Sequence, residues 1–359
     1  MNKRILKFAL LLGFVISCQQ TPQFIEYKNG QIEYAGRISF TDTSGAEIYW
    51  SASSIKLNFT GSTVKALLRD ENGNNYFNII IDDNDPVLLR PDTSKSYYTL
   101  ADNLEDGKHS VEIYKRTEWD RGKTWFYGFK LENGALLPRS AKKEHRIEFY
   151  GNSITAGYAI EDTSGNDNPD SVFTNCYLSY AALTARHFDA EYNMIVKSGI
   201  GITISWFPII MPEIYNLTNP SDPASLWDYS KFTPDLVIIN LFQNDSWLVN
   251  MPESEEFKST FGTQKPDEDF LINAYSNFVK SIRGKYPKAK IICMLGNMDI
   301  TRENSPWPGY VRQATANLDD PNIFTFFEPF KNSPGHPTIA EQKMMADDLI
   351  KFIEQIMAW

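Results

Sequence analysis

Cysteine, histidine and positive charge are all scarce in this chain, and each shortage removes a class of protein. Three cysteines cannot form a disulfide scaffold, and no group of Cys and His has metal-ligand spacing, so neither a metal nor another cofactor is implied. Lys and Arg number 35 against 45 Asp and Glu, a formal charge of −10, which argues against nucleic acid or any other polyanion as partner. The one apolar run near the N-terminus, Phe8 to Ile16, is too short to span a bilayer. Imidazole is limited to His109, His145, His187 and His336, so a histidine base has few places to be.

What is present begins with an export signal. Lys3, Arg4 and Lys7 precede the apolar run, which ends Val15-Ile16-Ser17-Cys18-Gln19. That ending resembles a bacterial lipoprotein signal, in which the Cys thiol is lipidated and becomes the new N-terminus. Residues 1–18 are therefore expected to be a signal segment with Cys18 lipidated. The lipid would be the chain's sole membrane contact, on a periplasmic or outer-membrane and cell-surface protein. With 359 residues, 42% of them hydrophobic, the remainder is long enough for two domains with sizeable cores. The 14% aromatic content suits the apolar faces of sugar rings, although most aromatic side chains in any protein are core. Cys293, inside the apolar run Ile291 to Leu295, is expected to be a buried free thiol.

Residues 19–140 read as β-structure. Ile55, Leu57 and Phe59 alternate with polar neighbours, as do Phe77, Ile79 and Ile81, then Val111 and Ile113, and finally Trp125, Tyr127, Phe129 and Leu131. Turn signals separate these runs at Asp70 to Gly73, Asp82 to Pro86, Asp106-Gly107 and Asn133-Gly134. Short strands at this spacing predict an all-β sandwich or jelly roll. A charged connector, Pro138 to Glu144, leads into residues 141–359, where the pattern changes. Ile147 to Tyr150, Asp235 to Leu241 and Lys290 to Leu295 are short or near-continuous apolar runs, as parallel strands buried on both faces require. Leu271, Ala274, Phe278 and Ile282 keep helical spacing, as do Met345, Leu349, Phe352 and Ile356. Thr338 and Glu341 form a capping-box pair ahead of the latter. Alternating strand and helix predicts a three-layer α/β domain whose functional loops gather beyond the carboxyl ends of the strands.

Four such loops carry chemistry-bearing residues. Gly151-Asn152-Ser153-Ile154-Thr155 places a serine at a strand-to-helix turn, where its hydroxyl and its own N–H can face one spot. Lys197 to Thr203 is rich in small residues that let a backbone N–H approach a substrate oxygen. Gln243-Asn244-Asp245 offers an amide N–H at a strand end, and His336 lies in a loop before the last helix. Taken singly, these are also ordinary turns, a glycine-rich loop and an Asx turn.

In order and on one sheet edge, the four blocks strongly resemble those of the SGNH, or GDSL, hydrolases, a superfamily with a flavodoxin-like three-layer fold. The resemblance assigns Ser153 as nucleophile and His336 as base. The oxyanion donors are then Ser153, Gly201 (with Gly199 as runner-up) and Asn244. Asn152 stands where Asp is usual, and Gln243 replaces the common Gly or Thr. A β domain containing Lys115-Arg116-Thr117-Glu118 and Gly128-Phe129-Lys130-Leu131 ahead of such a domain is similar to carbohydrate esterase family two, as is the later turn Gly296-Asn297-Met298. That family implies a serine esterase which deacetylates xylan, glucomannan or related saccharides without a cofactor.

The usual third member, an Asp three residues before the His, is replaced by Ser333. The expectation is a Ser–His dyad, with His336 oriented by the carbonyl of Ser333 or Pro334, and Glu328 and Asp299 as alternative acids. Trp206, Trp247 and Trp307 lie near the motif loops and are candidate substrate contacts, with core packing the competing role. Two other functions compete: a lipase or thioesterase acting on longer acyl chains, and an exported glycan-binding lipoprotein whose SGNH domain has decayed.

Overall fold

The structure, a computed structural model, describes residues 22–359; the signal segment and Cys18 lie outside the described residues. Ten strands build the first domain: β1 (Gln23–Glu26), β2 (Glu33–Ala35), β3 (Ala46–Ile48), β4 (Ser54–Thr60), β5 (Thr63–Asp70), β6 (Phe77–Ile81), β7 (Val87–Leu89), β8 (Ser96–Ala101), β9 (Lys108–Lys115) and β10 (Thr124–Glu132). They form two antiparallel sheets, one ordered β1-β10-β5-β8 with β3 also pairing with β10, the other β2-β4-β9-β6-β7. The period-two apolar residues of β4, β6 and β9 point inward as the pattern requires. In β10, by contrast, a register shift between Phe126 and Gly128 turns Phe126 and Phe129 inward and leaves Trp125 and Tyr127, expected on that face, out of the core. Ile55, Leu57 and Phe59 of β4, Val64, Ala66 and Leu68 of β5, and Phe126 and Phe129 of β10 meet in one core between the sheets.

The second domain runs β11 (Arg146–Gly151), α1 (Ser153–Ala156), α2 (Tyr180–His187), β12 (Glu191–Val196), α3 (Met211–Ile214), β13 (Leu236–Asn240), α4 (Gln243–Leu248), α5 (Glu255–Phe261), α6 (Glu268–Lys285), β14 (Lys290–Leu295), α7 (Trp307–Ala316), β15 (Ile323–Phe327) and α8 (Ile339–Ile356). Its sheet is wholly parallel, in the order β12-β11-β13-β14-β15. Strand residues alternate between two cores. Val237, Ile239, Ile291 and Cys293 face α6 and α7, whereas Leu236, Ile238, Ile292 and Met294 face α2 and α8. Burial on both faces is why these strands read as unbroken apolar runs. The Thr338 cap of α8 is formed as its sequence predicts, with the Thr338 N–H donating to Glu341 Oε2 at 2.8 Å.

Strand order reverses beside β11, the kind of topological switch point beyond whose strand ends α/β sheets place their functional loops. The jelly roll packs firmly against this domain. Trp50 belongs to the α/β core and its Nε1–H donates to the Thr218 carbonyl at 2.9 Å. Arg37, fully buried, pairs with Glu148 of β11 at 3.0 Å, and the hydroxyls of Tyr150 and Tyr286 donate to the same carboxylate. Supplying several donors at once offsets the large cost of burying both charges.

Candidate active site

Ser153 follows β11 directly and opens the short α1. Asn152 is its N-cap: Oδ1 accepts the Ile154 N–H at 3.0 Å, a role Asn fills as well as the more usual Asp. His336 comes from the other end of the sheet, on the loop between β15 and α8. Its Nε2 lies 2.8 Å from Ser153 Oγ. Tyr158 packs its ring against the imidazole, with centroids 4.9 Å apart.

The imidazole's other nitrogen does not meet a backbone carbonyl. Nδ1 lies 2.8 Å from Oδ2 of Asp167, and the His336 backbone N–H donates to Oδ1 of the same carboxylate at 2.9 Å. The expected dyad is therefore corrected to a Ser153–His336–Asp167 relay. The carbonyls of Ser333 and Pro334 are taken instead by Lys331 Nζ, each at 3.0 Å. Asp299 accepts from Gln243 Nε2 and Trp247 Nε1, both at 2.9 Å, and Glu328 makes no bond to His336. Asp167 sits in the loop between α1 and α2, where turn-forming residues from Asp162 to Asp170 concealed it. Beside the histidine, Gly335 has φ +69°, and a Cβ there would sit 2.9 Å from Asp167 Oδ1, so glycine lets the carboxylate approach without displacement. Partial burial raises the Asp167 pKa, but the side-chain and backbone hydrogen bonds from His336 outweigh it and hold the carboxyl below its usual range.

The oxyanion side needs a second correction. The Gly201 N–H, expected to be free, donates to Ser205 Oγ at 2.9 Å. Gly201 is glycine for space: a Cβ would come within 2.0 Å of the Ile204 carbonyl and 2.5 Å of Asp245. Asp245, buried, gathers this loop by accepting the N–H groups of Ile202 and Thr203 and the Thr203 hydroxyl. The Gly199 N–H, by contrast, has no acceptor among the described residues, nor has that of Ser153. Asn244 donates one Nδ2–H to the Ile200 carbonyl at 2.8 Å, and its Oδ1 accepts the indole N–H of Trp206 at 3.1 Å. Those two contacts fix the amide orientation and leave one N–H unspent.

The three tryptophans separate. Trp206, 41% exposed, stands beside Asn244, to which its indole N–H donates. Trp247 is tied to Asp299, and Trp307 is core, packed edge-on against Phe242. Among the described residues no cluster of three or more His, Cys, Asp or Glu is placed to hold a metal ion. Cys293 and Cys176 are free and buried, and burial pushes their thiols up to about 12 and about 11, away from reactivity.

A serine hydroxyl against an imidazole backed by a carboxylate, at the switch point of a five-stranded parallel sheet, is the arrangement of an SGNH-type hydrolase domain, here joined to a jelly roll. Comparison with known proteins narrows this. Residues 34–140 match the family description "Carbohydrate esterase 2 N-terminal". The structure of a family two carbohydrate esterase from Clostridium thermocellum, solved in complex with cellohexaose, is 32% identical, with 91% of this chain and 99% of that chain covered at a TM-score of 0.81. The cellulase/esterase CelE of Acetivibrio thermocellus is 33% identical over 95% of this chain, which spans only 41% of that longer protein. An acetylxylan esterase/glucomannan deacetylase of Cellvibrio japonicus is 26% identical over 99% of this chain and its own full length. The chain belongs to carbohydrate esterase family two and is a carboxylic ester hydrolase.

Proposed function

We propose that this protein is an exported serine esterase that removes O-acetyl groups from plant-type polysaccharides such as xylan and glucomannan. The observation that carries this reading is the 2.8 Å approach of Ser153 Oγ to an imidazole whose far side is held by Asp167. The relative named acetylxylan esterase/glucomannan deacetylase supports the choice of polysaccharide and acetyl group, and the basic and apolar run that ends at Cys18 supports export with a lipid anchor.

His336 takes the proton from Ser153 as Oγ adds to the acetyl carbonyl, and Asp167 holds the tautomer and stabilises the imidazolium. The oxyanion is received by the N–H groups of Ser153 and Gly199 and by the unspent N–H of Asn244. Gly199 takes the place first assigned to Gly201. Collapse of the tetrahedral species breaks the bond to the sugar oxygen, which leaves with the proton from His336. Water, deprotonated by the same imidazole, then releases acetate from the acetyl-serine. Trp206 offers its exposed ring to the sugar beside the ester.

A complete relay favours catalysis over the binding-only reading, because a decayed site has no need to keep the carboxylate, the imidazole and the hydroxyl in line. Acetate release from acetylated xylan and glucomannan, with Ser153→Ala beside the parent enzyme, tests the proposal. The parent should release acetate and the variant should fall to background. Preference for octanoyl over acetyl esters would point instead to a long-chain lipase.

A further inference from the structure

The jelly roll shares no residue with the relay, yet the turn that leaves β9 reaches both loops on which the relay depends. We propose that Glu118 and Arg116 of the jelly roll are positioning residues for catalysis, Glu118 setting the oxyanion loop and Arg116 the acid loop. This rests on the serine-esterase reading above.

Glu118 is almost wholly buried. Its Oε1 accepts the Ser198 backbone N–H at 2.7 Å and also the Ser198 hydroxyl. Its Oε2 faces Lys197 Nζ at 3.2 Å. Ser198 directly precedes Gly199, so the carboxylate grips the peptide unit adjoining the proposed oxyanion donor. The Gly199 carbonyl in turn accepts the Trp206 N–H, which ties the loop to the Asn244 side.

Arg116 works on the opposite flank. Its Nε donates to the Thr174 carbonyl at 3.0 Å, and Nη2 donates to the Val172 carbonyl at 2.8 Å and to the Glu161 carboxylate. Its own carbonyl accepts the Cys176 N–H at 3.2 Å. One guanidinium thus pins both ends of the 161–174 segment that carries Asp167, whose interior is tied by Asp162 through Ser164 and Asn168. The turn itself is braced from behind, since the buried Lys115 Nζ donates to the carbonyls of Thr117 and Glu118 at 2.9 and 3.0 Å.

Apolar contacts and the Arg37–Glu148 pair already hold the domains together, so a second set of buried charges is a costly form of adhesion. Their acceptors and donors fall on the two loops where a displacement of about 1 Å can cost on the order of 100-fold in rate.

The test uses the full chain and 4-nitrophenyl acetate, a small ester that needs no glycan contact. Glu118→Ala should lower kcat by roughly 10–100-fold with KM changed by less than about threefold, as displaced transition-state donors require. Glu118→Gln, which keeps an acceptor for Ser198, should recover much of the loss. Trp50→Phe, which removes the interdomain hydrogen bond to the Thr218 carbonyl and makes no hydrogen bond to either loop, serves as the control: it should lower thermal stability and leave kcat within about twofold. Glu118→Ala that loses stability like Trp50→Phe but keeps kcat within about threefold overturns the proposal and makes Glu118 interdomain adhesive. If Glu118→Ala does not fold, Glu118→Asp, whose shorter side chain draws the acceptor back from the Ser198 N–H, takes its place: a kcat loss with KM held supports the proposal, and unchanged kcat sinks it. Ser153→Ala is run in parallel. Activity surviving there removes the serine-esterase reading, whereas its loss together with a fully active Glu118→Ala removes only the positioning role.

Discussion

Asp167 and Glu328 are carboxyl groups on segments that leave the same edge of the parallel sheet, yet the fold drives them to opposite charge states. Asp167, on the loop between α1 and α2, receives the His336 ring N–H and backbone N–H, and these donors hold it ionised. Glu328, just past β15, is much nearer to His336 in sequence, but burial without a compensating cation pushes its carboxyl up to about 8, with Asp348 adding repulsion. One is a carboxylate that can stabilise an imidazolium; the other is a neutral acid near pH 7. Proximity along the chain made Glu328 an alternative to the expected dyad, but a carboxyl's role follows from the donors that reach it.

The largest way to break this comparison is Asp167→Asn, which preserves shape but removes the charge and can present an N–H₂ to Nδ1. We expect kcat on an acetyl ester to fall by roughly 10³–10⁴, with little change in KM. Glu328→Gln and Asp299→Asn should each stay within a few-fold. A reversed ranking, with Glu328→Gln crippled and Asp167→Asn active, would return the acid to β15. Acid should act in the same direction as the asparagine. Because the Asp167 pKa is lower in the fold than in the unfolded chain, its stabilising contribution is complete above about pH 4 and is lost as pH falls through the depressed value.

Gly335→Ala is a smaller and more local perturbation of the same contact. The added methyl would meet Asp167 Oδ1 at 2.9 Å on a backbone with φ +69°. Either the carboxylate or the histidine loop must then shift by several tenths of an ångström. A loss of about tenfold in kcat is expected, smaller than that of Asp167→Asn because the charge remains. Full activity in Gly335→Ala would mean that the carboxylate can back away without consequence for the imidazole.

The parts of this molecule legible in its sequence are those specified by local periodicity. Ile55, Leu57 and Phe59 announce a sandwich strand, Val237 to Ile239 a buried parallel strand, and Thr338 with Glu341 the start of α8. Ser153 and His336 belong to the same group, since each sits one or two residues beyond an element boundary or just before one. Asp167, Glu118 and Arg116 carry no such signal, because each acts across a long stretch of chain from irregular structure. The exchange of Gly201 for Gly199 has a similar cause: which of two nearby glycines frees its N–H depends on Ser205 and Asp245 folding back onto the loop. Trp307 was ambiguous for a simpler reason, as a tryptophan near a motif reads identically whether it packs inward or outward.

The finest distinction between the two carboxyl groups lies in how pH acts on stability through Glu328. A carboxyl whose pKa is about 8 in the fold keeps a proton that the unfolded chain has already released. Between the ordinary glutamate value near 4.3 and about 8, the folded state therefore binds more protons than the unfolded state, and stability falls as pH rises. Above that range the penalty is constant, and below it the penalty vanishes. Glu328→Gln removes the titrating group while keeping the shape, so it should leave Tm nearly unchanged at pH 4.5 and raise it by several degrees at pH 8.5, on the order of 2–4 °C for each kcal/mol relieved. Thermal scans of the two proteins at those two pH values check this. A Tm gain equal at both would show that Glu328 does not titrate in this range, and a loss confined to high pH would mean that the carboxylate has a cationic partner in the fold, which would bring it closer in character to Asp167.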